Sequence, residues 1–346
     1  MPFMMEMFNF FLILLQELLF LVMILLSVAF FSLMERKILS YVHFRKGPNK
    51  VIISGFLQPF ADALKLLTKD DSPVLWSNKI LYFFSPLFMF VLAMISWVVF
   101  PFFWGVTSNK LSFLITIIIM GLSVYGIMFS GWSSNSTYSM LGSMRSISQS
   151  ISYEVVLSFI FLSMIFIISD YSIEMFYDWK LMKIFIFSPF LLSLTCFSLL
   201  AEMNRTPFDL AEGESELVSG YSVEYGGVSY TVIFLSENIM IFFSSFLITY
   251  FFFNNLTFFM NFFMFSFMSA MICLIRGVLP RFRYDKLMMI CWMVMLPLIL
   301  LNFNLIVLLC NFFNFKKIFI FCLKKKKQVI VSWKGGSDAI ELMIIN

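Results

Sequence analysis

The sequence predicts an all-α, polytopic integral membrane protein with eight transmembrane helices, one short interfacial amphipathic helix and an acidic loop on the inner side of the membrane. Composition is the first reason: 61% of the 346 residues are hydrophobic, 13% are charged and the mean hydropathy is +0.93. Soluble domains are about half apolar and about a quarter charged. The second reason is that the apolar residues form runs of about 20 residues, long enough to span the hydrocarbon core of a bilayer.

The apolar runs set the bounds of the predicted spans. The first run starts the chain, and seven more follow it after polar or charged connections. The eight predicted spans are 1–34, Ile80–Phe103, Leu111–Gly131, Ile147–Ser169, Ile184–Ala201, Tyr230–Phe253, Phe258–Ile275 and Leu287–Cys310. We expect them to form one membrane domain, residues 1–315, followed by a Lys-rich tail, residues 316–346, to which the sequence assigns no role.

Lysine and arginine are distributed unequally between the two ends of the spans. The connections after the first, third, fifth and seventh spans hold 14 of these residues, and the opposite connections hold only Lys110, Lys180 and Lys183. Basic residues favour the inner side of a membrane, so the long polar connections are predicted to share that side and both termini to lie outside. The Lys-rich tail contradicts this rule, which is weak at the last helix.

Between the first two spans lies a segment with helical periodicity that is too short to span the membrane. Over 57–69, one face carries Leu57, Phe60, Leu64 and Leu67, and the other carries Gln58, Asp62, Lys65 and Lys69. This pattern is typical of a helix at the membrane interface. A surface helix packed on the bundle fits the pattern equally well. In both cases Asp62 is expected to face water or a polar cavity.

The segment 202–229 is strongly acidic and lies between two long apolar runs. Its carboxylates are Glu202, Asp209, Glu212, Glu214, Glu216 and Glu224. Glu212, Glu214 and Glu216 alternate at every second position, which does not place them on one helix face. On a loop they would crowd together, and like charges within ~4–6 Å raise one another's pKa. Such a cluster suits holding and releasing protons, whereas the simpler interpretation is a solvated acidic loop.

Three carboxylates lie within or at the end of predicted spans: Glu154, Glu202 and Glu237. A charged side chain at the centre of a membrane helix costs ~2.5–3.5 kcal/mol on insertion scales, so these residues require a partner or a hydrated path. Burial that keeps such glutamates neutral would allow them to pass protons along hydrogen-bonded water. The alternative is structural pairing with a cation such as Arg145 or Arg205.

Two basic segments are predicted at the inner ends of the spans. Glu35 and Arg36 follow the first apolar run, and Arg45 lies in the basic turn after them. Positive-inside anchoring explains most such segments, but a buried arginine beside Glu35 could hold a polar ligand headgroup or balance the acidic loop. The second segment, 276–285, carries alternating arginines that include Arg281, and we expect it to neutralise the acidic cluster.

Composition also excludes several classes of protein. His43 is the only histidine, which rules out a pair of His-ligated haems within this chain. The five cysteines are scattered without C-x-x-C spacing, so they are predicted to be small core hydrophobes and not cluster ligands or disulfides. Redox chemistry would therefore need electron carriers in another chain. Seven of the 24 Lys and Arg residues lie in the tail, so the body has no basic patch for nucleic acid.

Four passages carry a specific resemblance. They are SLMERKILSYVHFRKGPNKVIISGFLQPFADALKLLTKD, GWSSNSTYSMLGSMRSISQSISYEV, AEMNRTPFDLAEGESELVSGYSVEYGG and RGVLPRFRYDKLM. In this order, and over 28–309, they resemble the mitochondrially encoded subunit 1 family of NADH:ubiquinone oxidoreductase, respiratory complex I. The resemblance implies a membrane subunit without a redox centre, with flavin and iron–sulfur clusters in partner subunits and ubiquinone as the substrate of the complex.

The resemblance also implies roles for named residues. The first helix, the interfacial helix and the acidic loop would surround a quinone access channel at the junction with the peripheral arm. The residues implied in the quinone cavity or the junction are Glu35, Arg36, Arg45, Asp62, Phe208 and Arg281. Those implied in coupling are Asp209, Glu212, Glu214 and Glu216, followed by a proton path through Glu154, Glu202, Glu224 and Glu237.

Partners and location follow from the same resemblance. The expected partners are the peripheral-arm quinone-site and iron–sulfur subunits, neighbouring membrane-arm subunits and membrane lipids. The expected location is the mitochondrial inner membrane, with the polar loops facing the matrix and both termini toward the intermembrane space. On the residues alone, two other classes stay open: a transporter in which the same glutamates bind a cation or a proton, and an anchor that docks a soluble arm. Transporters often show internal repeats, of which the sequence has none, and an anchor leaves the embedded glutamates unexplained.

Overall fold

The computed structural model describes residues 2–71, 73–99, 110–168, 170–173, 189–209, 220–253 and 258–309. Within these ranges the regular secondary structure is helical, without a β-strand. The helices, in chain order, are α1 Pro2–Val42, α2 Gln58–Leu67, α3 Lys79–Val98, α4 Ser112–Ser133, α5 Thr137–Ile168, α6 Pro189–Glu202, α7 Gly227–Phe253, α8 Phe258–Val278 and α9 Tyr284–Leu309. The predicted all-α class is therefore confirmed for the described part of the chain.

Seven of the described helices are long and apolar enough to cross a membrane: α1 from Leu15 onward, α3, α4, α5, α7, α8 and α9. The fifth predicted span corresponds to α6, which has only 14 residues. The residues before it, 174–188, lie outside the described ranges. The count of eight spans therefore stays a prediction, and the tail 316–346 also lies outside the described ranges.

Two spans extend well beyond their apolar runs. α1 continues through the polar sequence MERK to Val42, so Glu35 and Arg36 lie on its last turns. α5 begins at Thr137, before the predicted start at Ile147, and includes a serine-rich stretch. These serines donate to carbonyls of their own helix, as Ser146 does to Ser143 O at 2.8 Å. Because serine can satisfy its hydroxyl within a helix, hydropathy alone missed the first turns of α5.

α2 confirms the predicted amphipathic helix between the first two spans. Its first turn contains a proline, Pro59, at a position where the missing N–H costs little. Phe56 and Phe60 lie against Phe30 of α1, with ring centroids 4.8 and 6.0 Å apart. Leu64 remains 65% exposed. Such an exposed apolar side chain suits burial in the membrane interface or against a partner.

α7 lies at the centre of the bundle, in contact with α1, α2, α3, α6 and α8. Aromatic rings from several helices pack around it. Phe113 of α4 stacks on Phe251 of α7 at 5.5 Å, and Phe161 of α5 packs edge-on against the same ring at 5.7 Å. Offset and edge-on ring pairs add to the stabilisation from burial, so α4, α5 and α7 are held as one unit.

α9 is interrupted by a π-helical segment. Residues Tyr284–Met289 are α-helical, Ile290–Met295 form a π-helix, and α-helix resumes as far as Leu309. The π segment packs on α5, where Cys291 Sγ donates to Ser152 O at 3.4 Å. Segments of this kind are rare and mostly single turns within α-helices.

The polar connections gather at one end of the bundle. The backbone N–H of Asn78, before α3, donates to Ser133 O at the end of α4, at 3.0 Å. The N–H of Phe282, after α8, donates to Pro207 O after α6, also at 3.0 Å. The connections predicted to share one side of the membrane therefore share one end of the fold. The side of the membrane on which this end lies stays a prediction.

Candidate functional site

The site is built on the C-terminal end of α6. The sequence A-E-M-N-R ends this helix in a Schellman motif, in which Arg205 N–H donates to Leu200 O and Asn204 N–H donates to Ala201 O, at 3.4 and 3.3 Å. Asn204 has a left-handed φ of 49°, a conformation that asparagine tolerates better than most residues. The motif reverses the chain and leaves the Arg205 side chain inside the fold.

Arg205 is a buried cation at the centre of the site. Its guanidinium lies 3.8 Å from Glu35 Oε1 and donates to Asn238 Oδ1 at 3.1 Å. The side chains of Arg205 and Glu35 are only 8% and 9% exposed. Arg276, in the last turn of α8, forms a shorter ion pair with the same Glu35 oxygen, at 2.5 Å. One carboxylate of α1 is therefore shared between two arginines, which joins α1 to α8 and to the turn after α6.

A second ion pair closes the same end of the bundle. Asp209 is buried, and Arg281 donates to its Oδ2 at 3.2 Å. The preceding residue, Phe208, is also buried and stacks on Phe282 with ring centroids 5.7 Å apart. Arg281 therefore neutralises one carboxylate of the acidic loop, as expected for the 276–285 segment.

Gln149 of α5 forms hydrogen bonds to both ends of the turn between Ala201 and Phe208. It is fully buried, and its Nε2 donates to Ala201 O at 2.7 Å and to Phe208 O at 2.8 Å. The first carbonyl precedes Glu202 and the second precedes Asp209. One amide therefore fixes the two carboxylates relative to α5.

Two of the embedded carboxylates share one cavity. Glu202 and Glu237 line a cavity of about 70 Å³ between α3, α4, α6 and α7. Tyr221 donates a hydrogen bond to Glu237, and Arg205 lies close enough to Glu237 for their charges to attract. The remaining lining residues are Met89, Met120, Ser123, Ile127, Leu199, Met203, Asn204, Ser236, Met240 and Ser244.

Glu154 of α5 extends this group of carboxylates. It packs against Gly121 of α4, where any Cβ would overlap the Glu154 carboxylate. Glycine thus provides the space that this side chain occupies. Glu154 also lies near enough to Glu202 for their charges to interact. Glu154 of α5 is therefore within electrostatic reach of Glu202 of α6, which shares the cavity with Glu237 of α7.

Arg36 is not buried, so the alternative in which it is a buried arginine beside Glu35 is not what the structure has. Its Nη1 lies 2.6 Å from Asp62 Oδ2, and the two side chains are 42% and 36% exposed. Gln58 donates to the other Asp62 oxygen at 2.8 Å. Asp62 thus faces Arg36 across the polar face of α2. The buried arginine at Glu35 is Arg205, because the chain reversal after α6, and not adjacency along the chain, brings it there.

A hydroxyl cluster that the sequence did not predict holds the connection before α7. Tyr225 stacks on Tyr82 with ring centroids 4.3 Å apart, and the Tyr82 hydroxyl donates to Glu224 O at 2.8 Å. The Tyr225 hydroxyl is hydrogen-bonded to Ser133 and Ser85 at 2.9 and 3.0 Å. Burial raises the pKa of Tyr225 above its ordinary value, and the serine hydrogen bonds oppose this shift. The phenol is therefore neutral at physiological pH.

The structure divides the predicted site residues into three groups. In or beside the buried ion pairs are Glu35, Phe208, Asp209 and Arg281. At or near the cavity are Glu154, Glu202 and Glu237. In the connections at the same end of the bundle, or on the helices beside them, are Arg36, Arg45, Asp62 and Glu224. Glu212, Glu214 and Glu216 lie outside the described residues, so their crowding stays a prediction.

A sequence model described as NADH dehydrogenase matches residues 15–307. This chain belongs to the NADH dehydrogenase family. The match extends from α1 into the last turn of α9 and includes every site residue described above. It confirms the family resemblance that the four sequence passages indicated.

Curated relatives of this NADH dehydrogenase family member cover most of its length. It is 47% identical to NADH-ubiquinone oxidoreductase chain 1 of Locusta migratoria over 294 residues, which are 84% of this chain and 94% of the relative. It is also 47% identical to the protein of the same name from Anopheles gambiae over 287 residues, 82% and 91% of the two chains. The mussel Mytilus edulis has a relative of this name that is 40% identical over 279 residues, 80% and 91% of the two chains.

Proposed function

We propose that this chain is the core membrane subunit of a mitochondrial NADH:ubiquinone oxidoreductase, that it forms the ubiquinone access channel at the junction with the peripheral arm, and that it couples quinone reduction to proton translocation. Flavin and iron–sulfur clusters belong to partner subunits, and this chain carries no redox centre. The relatives' shared name over most of the chain supports the enzyme. The coupling role rests on one observation, the buried network that leads from Glu35 through Arg205 to Glu237.

The channel is proposed at the end of the bundle where the polar connections gather. A quinone has a polar head ring and an apolar tail, and this end offers both kinds of surface. Glu35 and Arg281 lie there in ion pairs, and the Phe208 ring is buried against Phe282, the residue after Arg281. The exposed apolar side chains of α2, such as Leu64, suit contact with the tail or with the peripheral arm.

Charges in this network influence one another strongly because they are shielded from water. Arg205 lies between Glu35 and Asn238, and Asn238 follows Glu237 in α7. A change of charge near Glu35 during quinone reduction would alter the attraction between Arg205 and Glu237. Glu237 would then take up or release a proton in response to chemistry at the channel.

The carboxylates beyond Glu237 provide the next steps of the path. Glu202 shares the cavity with Glu237, and Glu154 lies within electrostatic reach of Glu202. Protons would move from one carboxylate to the next along hydrogen-bonded water. The acidic loop would connect the channel to this row through Asp209, Glu212, Glu214, Glu216 and Glu224.

The assembly is tested on gently solubilised mitochondrial inner membranes by native gel electrophoresis, in-gel NADH oxidation and mass spectrometry. We expect this chain in one very large active band together with flavin and iron–sulfur subunits. Recovery of the chain in a small assembly without those subunits would overturn the proposal. Protease protection of mitoplasts tests the proposed orientation, in which the polar connections face the matrix and both termini face the intermembrane space.

The coupling role is tested by Glu202→Gln, which removes the titratable group and nearly preserves the shape of the side chain. Quinone-linked NADH oxidation should fall by at least about tenfold, since positioned proton-transfer groups typically contribute ~10²–10⁴-fold. Reduction of ferricyanide, which needs only the peripheral arm, should be unchanged. Asp285→Asn is the matched control, because Asp285 is 75% exposed and should tolerate the change. Wild-type quinone-linked turnover and proton pumping in Glu202→Gln would exclude the coupling role.

A further inference from the structure

Asn204 lines the carboxylate cavity and also forms the backbone turn that ends α6. The left-handed φ of 49° is what a Schellman motif requires after the helix end, and glycine or asparagine usually supplies it. Asn204 is one of the residues that line the cavity that Glu202 and Glu237 share, and its side-chain oxygen is buried. The helix end requires only the backbone conformation, so the position of the side chain needs a second explanation.

Two polar atoms at this cavity have no hydrogen-bond partner within the described residues. They are Asn204 Oδ1 and Glu202 Oε2, and both atoms are buried. Buried polar atoms in native proteins nearly always bond to protein or to ordered water. The pair therefore points to a small polar ligand inside the cavity.

The cavity has the volume and the lining of a water site. Its volume of about 70 Å³ has room for several water molecules, since one molecule needs ~10–15 Å³. Ser123, Ser236 and Ser244 line it, and each donates its hydroxyl proton to a carbonyl of its own helix, at 2.6, 2.7 and 2.7 Å. The serine oxygens thus remain available to accept hydrogen bonds from water.

We propose that Asn204 is a positioning residue for proton transfer, whose carboxamide binds water in the cavity and holds it in a hydrogen-bonded chain between Glu202 and Glu237. The inference rests on the proposed function, in which protons pass between these two carboxylates. A proton leaves one carboxyl group through the bound water and joins the other carboxylate. A carboxamide suits this role because it donates and accepts hydrogen bonds but does not titrate, so it orients the water without retaining the proton.

The variant Asn204→Gly distinguishes a residue that positions water from one that only ends the helix. Asn204→Gly keeps the left-handed turn, which glycine adopts with less strain, and removes the carboxamide. A residue that served only the end of α6 would be replaced by glycine without loss. A residue that positions water would not.

The experiment compares Asn204→Gly with the wild type and with Glu202→Gln in the assembled complex. The measurements are quinone-linked NADH turnover, protons translocated per NADH and the ratio of rates in H₂O and D₂O, with ferricyanide reduction reporting the amount of assembled enzyme. We expect about tenfold lower turnover in Asn204→Gly, the loss expected for one hydrogen bond to a rate-limiting step. The D₂O effect should increase, and ferricyanide reduction should be unchanged.

A second variant, Asn204→Asp, tests the inference if the glycine variant does not assemble. Aspartate tolerates the left-handed conformation and has nearly the same shape, but its ionised form cannot donate a hydrogen bond, so turnover should also fall. Wild-type turnover and D₂O effect in either assembled variant would overturn the inference, and failure of both to assemble would show a folding role and overturn it equally. A harmless Glu202→Gln would instead overturn the proposed function, so the two failures are distinguishable.

Discussion

Helices α7 and α8 are neighbours of similar hydropathy, yet they lie in opposite environments. Their most apolar windows have mean hydropathies of 1.8 and 1.6, but 56% of the α7 window is buried in the fold against 17% of the α8 window. Hydropathy assigns both helices to the membrane. It does not distinguish the helix that builds the interior from the one that faces lipid or partner subunits.

Polar side chains mark the interior helix. α7 buries Ser236, Asn238 and Ser244 and carries Glu237, because the centre of the bundle supplies hydrogen-bond partners that lipid cannot. α8 instead turns Phe259 outward, at 84% exposure. Between these two helices, the one that buries more polar residues is therefore the interior one, although α8 also buries Ser269.

Removal of the buried arginine beside α7 should produce the largest effect. Arg205→Met nearly preserves the volume but removes one of the two cations at Glu35, and breaking a buried pair costs ~3–5 kcal/mol. We expect loss of this chain from the native-gel band of the complex. Arg283→Met is the control, since its pair with Asp285 is 80% and 75% exposed and exposed pairs contribute ~0–1 kcal/mol. Equal losses in both variants would contradict the buried role of Arg205.

Phenylalanine truncations compare α7 and α8 directly. Phe243 of α7 is 0% exposed and Phe263 of α8 is 61% exposed. Phe243→Ala should destabilise the fold by ~3–5 kcal/mol, whereas Phe263→Ala should stay within ~0.5 kcal/mol. The measurement is the temperature at which the detergent-solubilised complex loses quinone-linked activity. A large fall in the inactivation temperature of Phe263→Ala would reveal that a partner subunit covers α8.

Two glycine substitutions, Gly142→Ala and Gly226→Ala, extend the comparison to the packing of α5. A Cβ on Gly142 would lie 3.0 Å from Gly220 Cα and 3.1 Å from Tyr221 N, both backbone atoms. Gly142→Ala should therefore cost ~1–3 kcal/mol, as overpacking typically does, and lower the same inactivation temperature. Gly226→Ala is the control, because a Cβ there meets nothing within 4 Å. Tolerance of Gly142→Ala would show that the connection before α7 can shift away from α5.

The smallest effect is expected from Tyr225→Phe, which removes the hydroxyl bonded to Ser133 and Ser85. The total cost should be ~0.5–1.5 kcal/mol, because Ser133 keeps its hydrogen bond to Ser130 O; Tyr125→Phe should cost almost nothing, since its ring is 52% exposed. Because burial raises the pKa of Tyr225, the neutral phenol is the stabilising form. Its contribution is complete below the ordinary tyrosine pKa of ~10 and is lost as the pH rises through the higher folded pKa. Inactivation temperatures of the two variants should therefore differ by a constant amount near neutral pH, and a difference that varied there would point to another titrating group.

Features that depend on local pattern could be predicted from the sequence. The period of apolar residues predicted α2 and most of the spans, because a helix buries or inserts one side of a regular repeat. The cost of a charge within a span singled out Glu202 and Glu237, and the structure brings both to one cavity. Asn204 also carried a readable signal, since asparagine directly after a helix end is typical of a Schellman motif.

Contacts between distant parts of the chain could not be predicted in this way. Gln149 bonds to carbonyls 52 and 59 residues further along the chain, and nothing in its serine-rich surroundings distinguishes it. In the sequence, Arg36 and Arg205 each lie within three residues of a glutamate near a helix end. Only Arg205 is buried in the structure. The difference depends on where α6 reverses against α1 and α7, which periodicity does not encode.

The π-helical segment of α9 bears on how chains of this kind tolerate insertions and deletions. Buried residues of α9 recur every four positions, at Leu287, Cys291, Met295 and Ile299, a spacing that would drift around a regular α-helix by ~40° at each step. The wider π turn offsets that drift and keeps the buried residues on one side. If the same six residues, 290–295, formed a regular α-helix, everything after them would rotate by ~100°, turning Ile299 outward. Loss of one residue within this segment, together with the π turn, would leave Ile299 facing inward, so length variation along this lineage should be tolerated at the π segment as well as in the connections.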